Sequence, residues 1–322
     1  MKASAQAREF VAALALLLPQ TARAVDSAPP RAYSVGAAYD PRRECLVVFG
    51  GQRPGGVPSG ETWSWDKSGW RRIDAPGPAA RNAPAMAFDE HRGTILLFGG
   101  DDRAGPKGDT WEWNGVAWTR VDAQGAGPAP RTSARLAYDA KRGTTILFGG
   151  FAGQTVFGDA WELDGKTWKL VAADGPPRFL HGFVVDAEHG SWMTYGGSAT
   201  APTNGPPPCV GETWLFDGQA WKQWTGKGPG ARDHVTLAFD AARARTLLYG
   251  GFVEGEPSAE TWEWDGQAWT PMLARGGPGN RGNPSLVFDP QRRRVLLFGG
   301  FDASGPYNDL WEWDGKEWVR IG

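Results

Sequence analysis

An all-β fold of six four-stranded antiparallel blades around a central channel is what this chain predicts, and three observations predict it. An aromatic residue precedes a glycine pair six times: Phe49-Gly50-Gly51, Phe98-Gly99-Gly100, Phe148-Gly149-Gly150, Tyr195-Gly196-Gly197, Tyr249-Gly250-Gly251 and Phe298-Gly299-Gly300. The first glycines stand 49, 50, 47, 54 and 49 residues apart, a period that marks propellers and repeat arrays. Every unit carries strand-like segments in the same order, and no helical period shows beyond the N-terminus.

The first strand of each unit lies between an arginine and an aspartate. The arginines are Arg31, Arg81, Arg131, Arg178, Arg232 and Arg281; the aspartates are Asp40, Asp89, Asp139, Asp186, Asp240 and Asp289. Between them the pattern has period two. Met86 and Phe88, or Leu237 and Phe239, share one face, while Ala85 and Ala87, or Thr236 and Ala238, share the other. Large rings facing small residues on the next sheet let blades interlock. The second strand is an apolar run into the diglycine, such as Thr94-Ile95-Leu96-Leu97-Phe98. Glycine at a strand end tolerates φ > 0 and a close backbone approach. The third strand is a Trp-centred segment such as Thr110-Trp111-Glu112-Trp113. A tight turn such as Asp265-Gly266 or Asn114-Gly115 then leads to a fourth strand opened by Trp70, Trp118, Trp168, Trp221, Trp269 or Trp318. Recurrence in every unit marks Arg81, Arg131, Arg178, Arg232, Arg281, Gly99, Gly100, Gly149 and Gly150 as structural.

The arginine before the first strand, the apolar run into Gly-Gly and the Trp opening the fourth strand resemble the Kelch repeat. The resemblance covers about residues 31–322 and implies a six-bladed β-propeller. Blades are expected at 31–74, 81–122, 131–172, 178–225, 232–273 and 281–322, within a single domain of residues 25–322. Many propellers of this family complete one blade from both termini. Here the first unit opens with a first strand and the last closes with Trp318-Val319-Arg320-Ile321, so each blade is expected to be contiguous.

Of the 322 residues, 41% are hydrophobic and 22% charged, an ordinary globular balance. Most of the 18 Trp sit at strand landmarks, which favours packing over ligand contact. Residues 1–24 read as a secretory signal. Lys2 and Arg8 precede an apolar run from Phe10 to Leu18, and Ala22-Arg23-Ala24 fits small-x-small cleavage. The run is too short to span a bilayer, which takes about 20 residues. An exported protein, periplasmic or secreted, without a transmembrane anchor after cleavage is the expectation. Losing Lys2, Arg8, Arg23 and Glu9 with the leader takes the formal charge from −2 to −4. No basic run is visible, which argues against nucleic acid as a partner. A monomer is expected. Cys45 in blade 1 and Cys209 in blade 4 fall on opposite sides of the ring, beyond the roughly 7 Å between Cα atoms that a disulfide spans, so no disulfide is expected.

Loops before the first strand and between the second and third strands open on one face, at the channel mouth, and loops carry function disproportionately. The first set offers Tyr33, Ser133, His181, Asp233, His234 and Asn283; the Kelch resemblance implies that residues just past the repeat arginine line the mouth. The second set offers Arg53, Asp102, Arg103, Glu254 and Asp302. Three departures from the repeat stand out. Blade 4 has a long Pro-rich stretch, 201–209, before its third strand: a pocket rim or a tolerated insertion. Arg135 sits where other blades carry small residues; it suits a carboxylate or phosphate ligand, or pairs with an acid on the next blade. His181 and His234 hold nearly matching positions, with Asp233 beside one of them, but scattered histidines on loops make a poor metal motif, and neither a metal nor a cofactor is expected.

No nucleophile elbow, phosphate loop or zinc motif is present. The leading expectation is a non-enzymatic module binding a protein or glycan through the mouth. The alternative is a sugar-processing enzyme similar to sialic-acid mutarotases or epimerases, which resemble this chain in their Kelch repeats and for which Arg135, Arg53, Glu254 and His234 offer cation and acid/base groups. Galactose oxidase also carries Kelch repeats, but its copper-radical chemistry is not expected here, since no Tyr–Cys cofactor context is recognisable.

Overall fold

A computed structural model of the protein describes residues 28–322 other than 124 and 204; the leader read at 1–24 lies outside the described residues. There are no helices among them, and so none long and apolar enough to cross a membrane. Six four-stranded antiparallel sheets follow one another along the chain, and each is contiguous in sequence. Blade 1 is built from Gly36–Asp40, Cys45–Phe49, Thr62–Asp66 and Gly69–Ile73. Blade 6 is built from Ser285–Asp289, Arg294–Phe298, Leu310–Trp313 and Trp318–Arg320. The ring closes by the first strand of blade 6 packing beside that of blade 1, with no strand exchanged between the ends of the chain among the described residues.

The small-against-large interlock holds. Ala38 of blade 1 packs with Met86 and Phe88 of blade 2, and Ala85 and Ala87 of blade 2 pack with Leu136 of blade 3. The rings before the diglycines are buried across these junctions, as in Phe49 against Trp118 of blade 2, 5.5 Å apart. Burying each such ring contributes about 2–3 kcal/mol. The tyrosines that replace phenylalanine in blades 4 and 5 place their hydroxyls usefully: Tyr195 donates to the Gly230 carbonyl at 2.5 Å and Tyr249 to that of Gly279 at 2.9 Å.

In blades 2 to 6 the repeat arginine holds an acid of its own blade. Arg81 forks onto Asp109 at 2.6 and 3.0 Å, Arg131 onto Asp159 and Arg281 onto Asp309, while Arg178 and Arg232 hold Glu212 and Glu260. The same acid accepts the indole N–H two residues on, as Asp109 does from Trp111 at 2.7 Å. Blade 1 departs from this. Arg31 is exposed, and Arg53 binds Glu61 at 2.8 Å in its stead. The strand-end aspartates form turns: Asp40 accepts from the Arg42 and Arg43 amides.

Both glycines of all six pairs have positive φ. In blades 1 to 5 the second donates to the carbonyl of the next blade's arginine, as Gly51 does to Arg81 at 2.9 Å. Fourth-strand tryptophans add a second clasp: Trp118 donates to Thr62 Oγ1, Trp168 to Thr110, Trp269 to Thr213 and Trp318 to Thr261. Where that threonine is Leu310 or Ala160, the indole nitrogens of Trp70 and Trp221 are buried without a partner. The two junctions that lack this bond are therefore 6–1 and 3–4.

Candidate functional site at the channel mouth

The loops before the first strands and between the second and third strands meet, as expected. Isolated bridges join Tyr33 to Gln52, Asn82 to Asp101, Thr132 to Phe151, Phe179 to Ser198, Asp233 to Phe252 and Gly282 to Phe301. In five blades the latter loop forms a two-stranded hairpin, such as Phe301–Asp302 with Gly305–Pro306. In blade 4 the long stretch gives a bridge from Ser198 to Cys209 instead. The Cys209 sulfur lies against the Glu254 amide of blade 5, so this loop leans along the rim toward its neighbour.

A belt of left-handed residues encircles the mouth. Ser34, Ala83, Ser133, Leu180, His234 and Asn283 have φ between +45° and +56°, a conformation costing roughly 1–3 kcal/mol each for non-glycine residues. Hydrogen bonds between neighbouring blades hold it. Ala83 N donates to Ser34 O at 2.8 Å, Ser133 N to Ala83 O at 3.3 Å, and Asn283 N to His234 O at 2.6 Å. The Asn283 amide closes the ring onto Ser34 Oγ at 2.7 Å. No backbone bond continues the belt from Ser133 to Leu180 among the described residues. There Arg135 reaches across the channel from blade 3, donating from Nε to His181 O at 2.7 Å and from Nη2 to Val235 O at 3.1 Å. It therefore ties blades 3, 4 and 5 together. No carboxylate pairs with it among the described residues; its partners are carbonyls, not the acid on a neighbouring blade. Burial alone pulls its pKa down to about 10, which still leaves it charged at neutral pH.

The structure corrects several site expectations. His181 is not exposed at the mouth: it is 0% exposed, T-shaped against Phe148 at 5.4 Å, and neither ring nitrogen has a partner. One residue of offset is the cause. Counted from the repeat arginine, His181 matches the buried Val235, whereas His234 matches Leu180 on the belt. The two histidines therefore do not converge, and no group of three metal-ligating side chains exists among the described residues. Ser133 and Asn283 are buried belt residues, and Arg53 is held by Glu61. Asp302 accepts from Tyr307 Oη at 2.6 Å, and Asp102 pairs with Lys107 at 2.7 Å. Arg103 is exposed, with a 3.3 Å bond to Gly56 O. Glu254 is exposed, and no contact joins it to His234 among the described residues.

The half-exposed groups that do come together are aromatic. Tyr33 packs on Phe301 at 5.0 Å, Phe301 on Phe252 at 5.2 Å, and the His234 ring sits edge-on to both, at 5.3 and 5.6 Å. His234 Nδ1 lies 2.8 Å from Asp233 Oδ1. Phe252 and Phe301 were legible as the residues following two diglycines, but in the sequence nothing sets them apart from ordinary strand aromatics. Their partner across the belt, Gly282, leaves the Phe252 ring room that a side chain would take.

Comparison with family models matches residues 17–197 to the KLHDC2/KLHL20/DRC7 Kelch-repeats domain. A search of curated proteins gave no match. The matched stretch exceeds half of the chain, and it carries the arginine, diglycine and tryptophan landmarks on which the blades are built. The chain belongs to the Kelch-repeat family.

Proposed function

We propose that this propeller is a binding module whose mouth face, on the side of blades 5, 6 and 1, docks a partner protein. Kelch propellers generally serve as protein-interaction scaffolds. The observation that carries the reading is the cluster of Tyr33, His234, Phe252 and Phe301, partly exposed and mutually packed on one side of the rim. Aromatic anchors of this kind dominate binding energy where charged rim residues contribute little. Arg103 and Glu254 supply an exposed charged border of mixed sign. The leader-like residues 1–24 support action after export, and mass determination of the exported N-terminus tests that step. Capture of partners from the exported fraction tests the main reading. The double variant Phe252→Ala/Phe301→Ala is expected to lose them at an unchanged melting temperature; capture equal to wild type sinks the proposal.

A second reading, sugar processing, is favoured by one contact, the Asp233–His234 pair beside the Val235 carbonyl that holds Arg135. A carboxylate that orients an imidazole equips it for proton transfer. Anomer exchange of acidic sugars, followed by NMR, decides it. Acceleration abolished by His234→Ala supports this reading, and no acceleration over buffer removes it.

A further inference from the structure

The first strands line the channel in register, and their side chains form rings of six. Tyr39, Phe88, Tyr138, Val185, Phe239 and Phe288 surround a chamber of about 370 Å³ at the end opposite the mouth. Among the described residues, Glu90, exposed at the rim, is the only acidic or basic one that lines it. The two tyrosine hydroxyls are turned aside, Tyr39 against Asp289 and Tyr138 against the His91 backbone. The wall therefore offers a ligand apolar surface with few polar atoms, within the size range of small-ligand sites.

A second chamber of about 80 Å³ lies toward the mouth and is polar, and Arg135 lines it. Ala37, Met86, Leu136, Phe183, Leu237 and Leu286 line both chambers, so one ring of side chains separates them. Met86 lies over Gly36 in that ring, where an added Cβ would meet its sulfur at 2.6 Å. An unbranched thioether is a readily displaced stopper.

Polar donors of the upper chamber are already committed, with one exception. Thr236 donates to Pro284 O, Ser285 to Val35 O and Asn283 to Ser34 Oγ. Arg135 has two bonds, to carbonyls, and Nη1 has no partner among the described residues. A desolvated guanidinium without a counter-charge is costly, and its fork geometry matches a carboxylate. One cation with no other free donor suits a monoanion rather than a phosphate dianion.

We propose that the channel binds a straight-chain carboxylate, its head on Arg135 and its alkyl tail through the Met86 ring into the aromatic chamber. The span agrees. Three residues separate Arg135 from Tyr138 along the strand, about 10 Å at the usual strand rise. This site is independent of any partner at the rim.

Titration calorimetry with decanoate, decanol and acetate tests it. Decanoate is expected to bind saturably, decanol roughly tenfold or more weaker, and acetate not measurably, as loss of a charged hydrogen bond and loss of the buried tail respectively require. Arg135→Met, checked for folding by its melting temperature, is expected to bring decanoate down to decanol. Ala241→Trp at the exposed chamber rim, which leaves Arg135 and the core untouched, is expected to block both. No saturable decanoate binding overturns the proposal. So does acetate binding as tightly as decanoate, decanol binding as tightly as decanoate, or decanoate affinity unaffected by Ala241→Trp.

Discussion

Arg131 grips Asp159 through two parallel bonds, Nη1 to Oδ1 at 2.5 Å and Nη2 to Oδ2 at 3.0 Å, while its own carbonyl accepts from Gly100 of the preceding blade. One residue thus fastens a strand within its blade and sits in the seam to its neighbour. Arg131→Leu leaves the Gly149 carbonyl without its donor and the Asp159 carboxylate with only the Trp161 indole. The expected cost is about 2–3 kcal/mol, somewhat below that of a fully buried pair because Asp159 keeps some contact with water. Arg31→Leu removes an exposed residue outside this pattern and is expected to stay within about 0.5 kcal/mol. Guanidinium unfolding of the two variants checks the contrast, and equal costs contradict it.

Gly99 has φ +65°, and a Cβ there would stand 2.5 Å from the Arg131 carbonyl. Backbone cannot yield as a side-chain tip does. Gly99→Val is therefore expected to cost several kcal/mol or to prevent folding, since it adds a steric clash to the left-handed penalty. Gly153, with φ +58° and nothing within 4 Å, isolates the penalty alone; Gly153→Ala is expected to cost about 1–2 kcal/mol. Thermal melts of both separate conformation from contact, and a wild-type-like melt of Gly99→Val shows that the pair has another purpose.

What was legible in the sequence follows from repetition. Six diglycines gave the period, the two termini gave contiguous blades, and strand alternation placed two loop sets on one face. The acids at Glu61, Asp109, Asp159, Glu212, Glu260 and Asp309 recur two residues before the third-strand aromatic and were equally legible. They stand out less than the strand-end aspartates because aspartate and glutamate share the position. His181 was misplaced by a single residue, which in an extended segment turns a side chain from one side to the other. The reach of Arg135 over two blades was not legible at all, because it depends on the channel radius, and radius is a property of the closed ring. The same holds for the two chambers.

Cys45 and Cys209 are both free thiols. Burial, with the nearby Asp40 and Asp66 adding to it, pushes Cys45 up to about 12, and burial also raises Cys209. The thiolate is the reactive form. A disulfide-exchange reagent at pH 8 is expected to leave Cys45 unmodified in the folded protein, to modify the partly exposed Cys209 slowly, and to count two thiols after denaturation. Zero thiols in denaturant contradicts this, as does fast reaction of Cys45 in the folded state.

The missing clasp at the junction of blades 3 and 4 is testable by restoring it. Trp221 leaves its indole N–H buried and unpaired because Ala160 stands where other blades have Thr62, Thr110, Thr213 and Thr261. Ala160→Thr supplies the acceptor and is expected to stabilise the protein by about 1 kcal/mol. Ala160 is fully buried, so crowding is the competing effect. A fall in melting temperature means that crowding wins and that the junction has closed around the smaller residue.

His181 predicts a pH dependence. Burial, then the positive charges of Arg135 and Arg178, hold its imidazole well below the ordinary value of 6.5. The unfolded chain therefore takes up this proton first. The contribution of His181 to stability is fully present above pH 6.5, falls as the pH drops below it, and levels off beneath the depressed folded value. Val235 occupies the matching position in blade 5, so His181→Val keeps an apolar residue of the repeat while removing two unbonded nitrogens and the titration. The variant is expected to melt at or above wild type at pH 7.5, and the gap between the two is expected to widen in its favour toward pH 5. A gap that stays constant over that range means that the folded protein takes up this proton at the same pH as the unfolded chain, and that burial does not hold the His181 ring neutral.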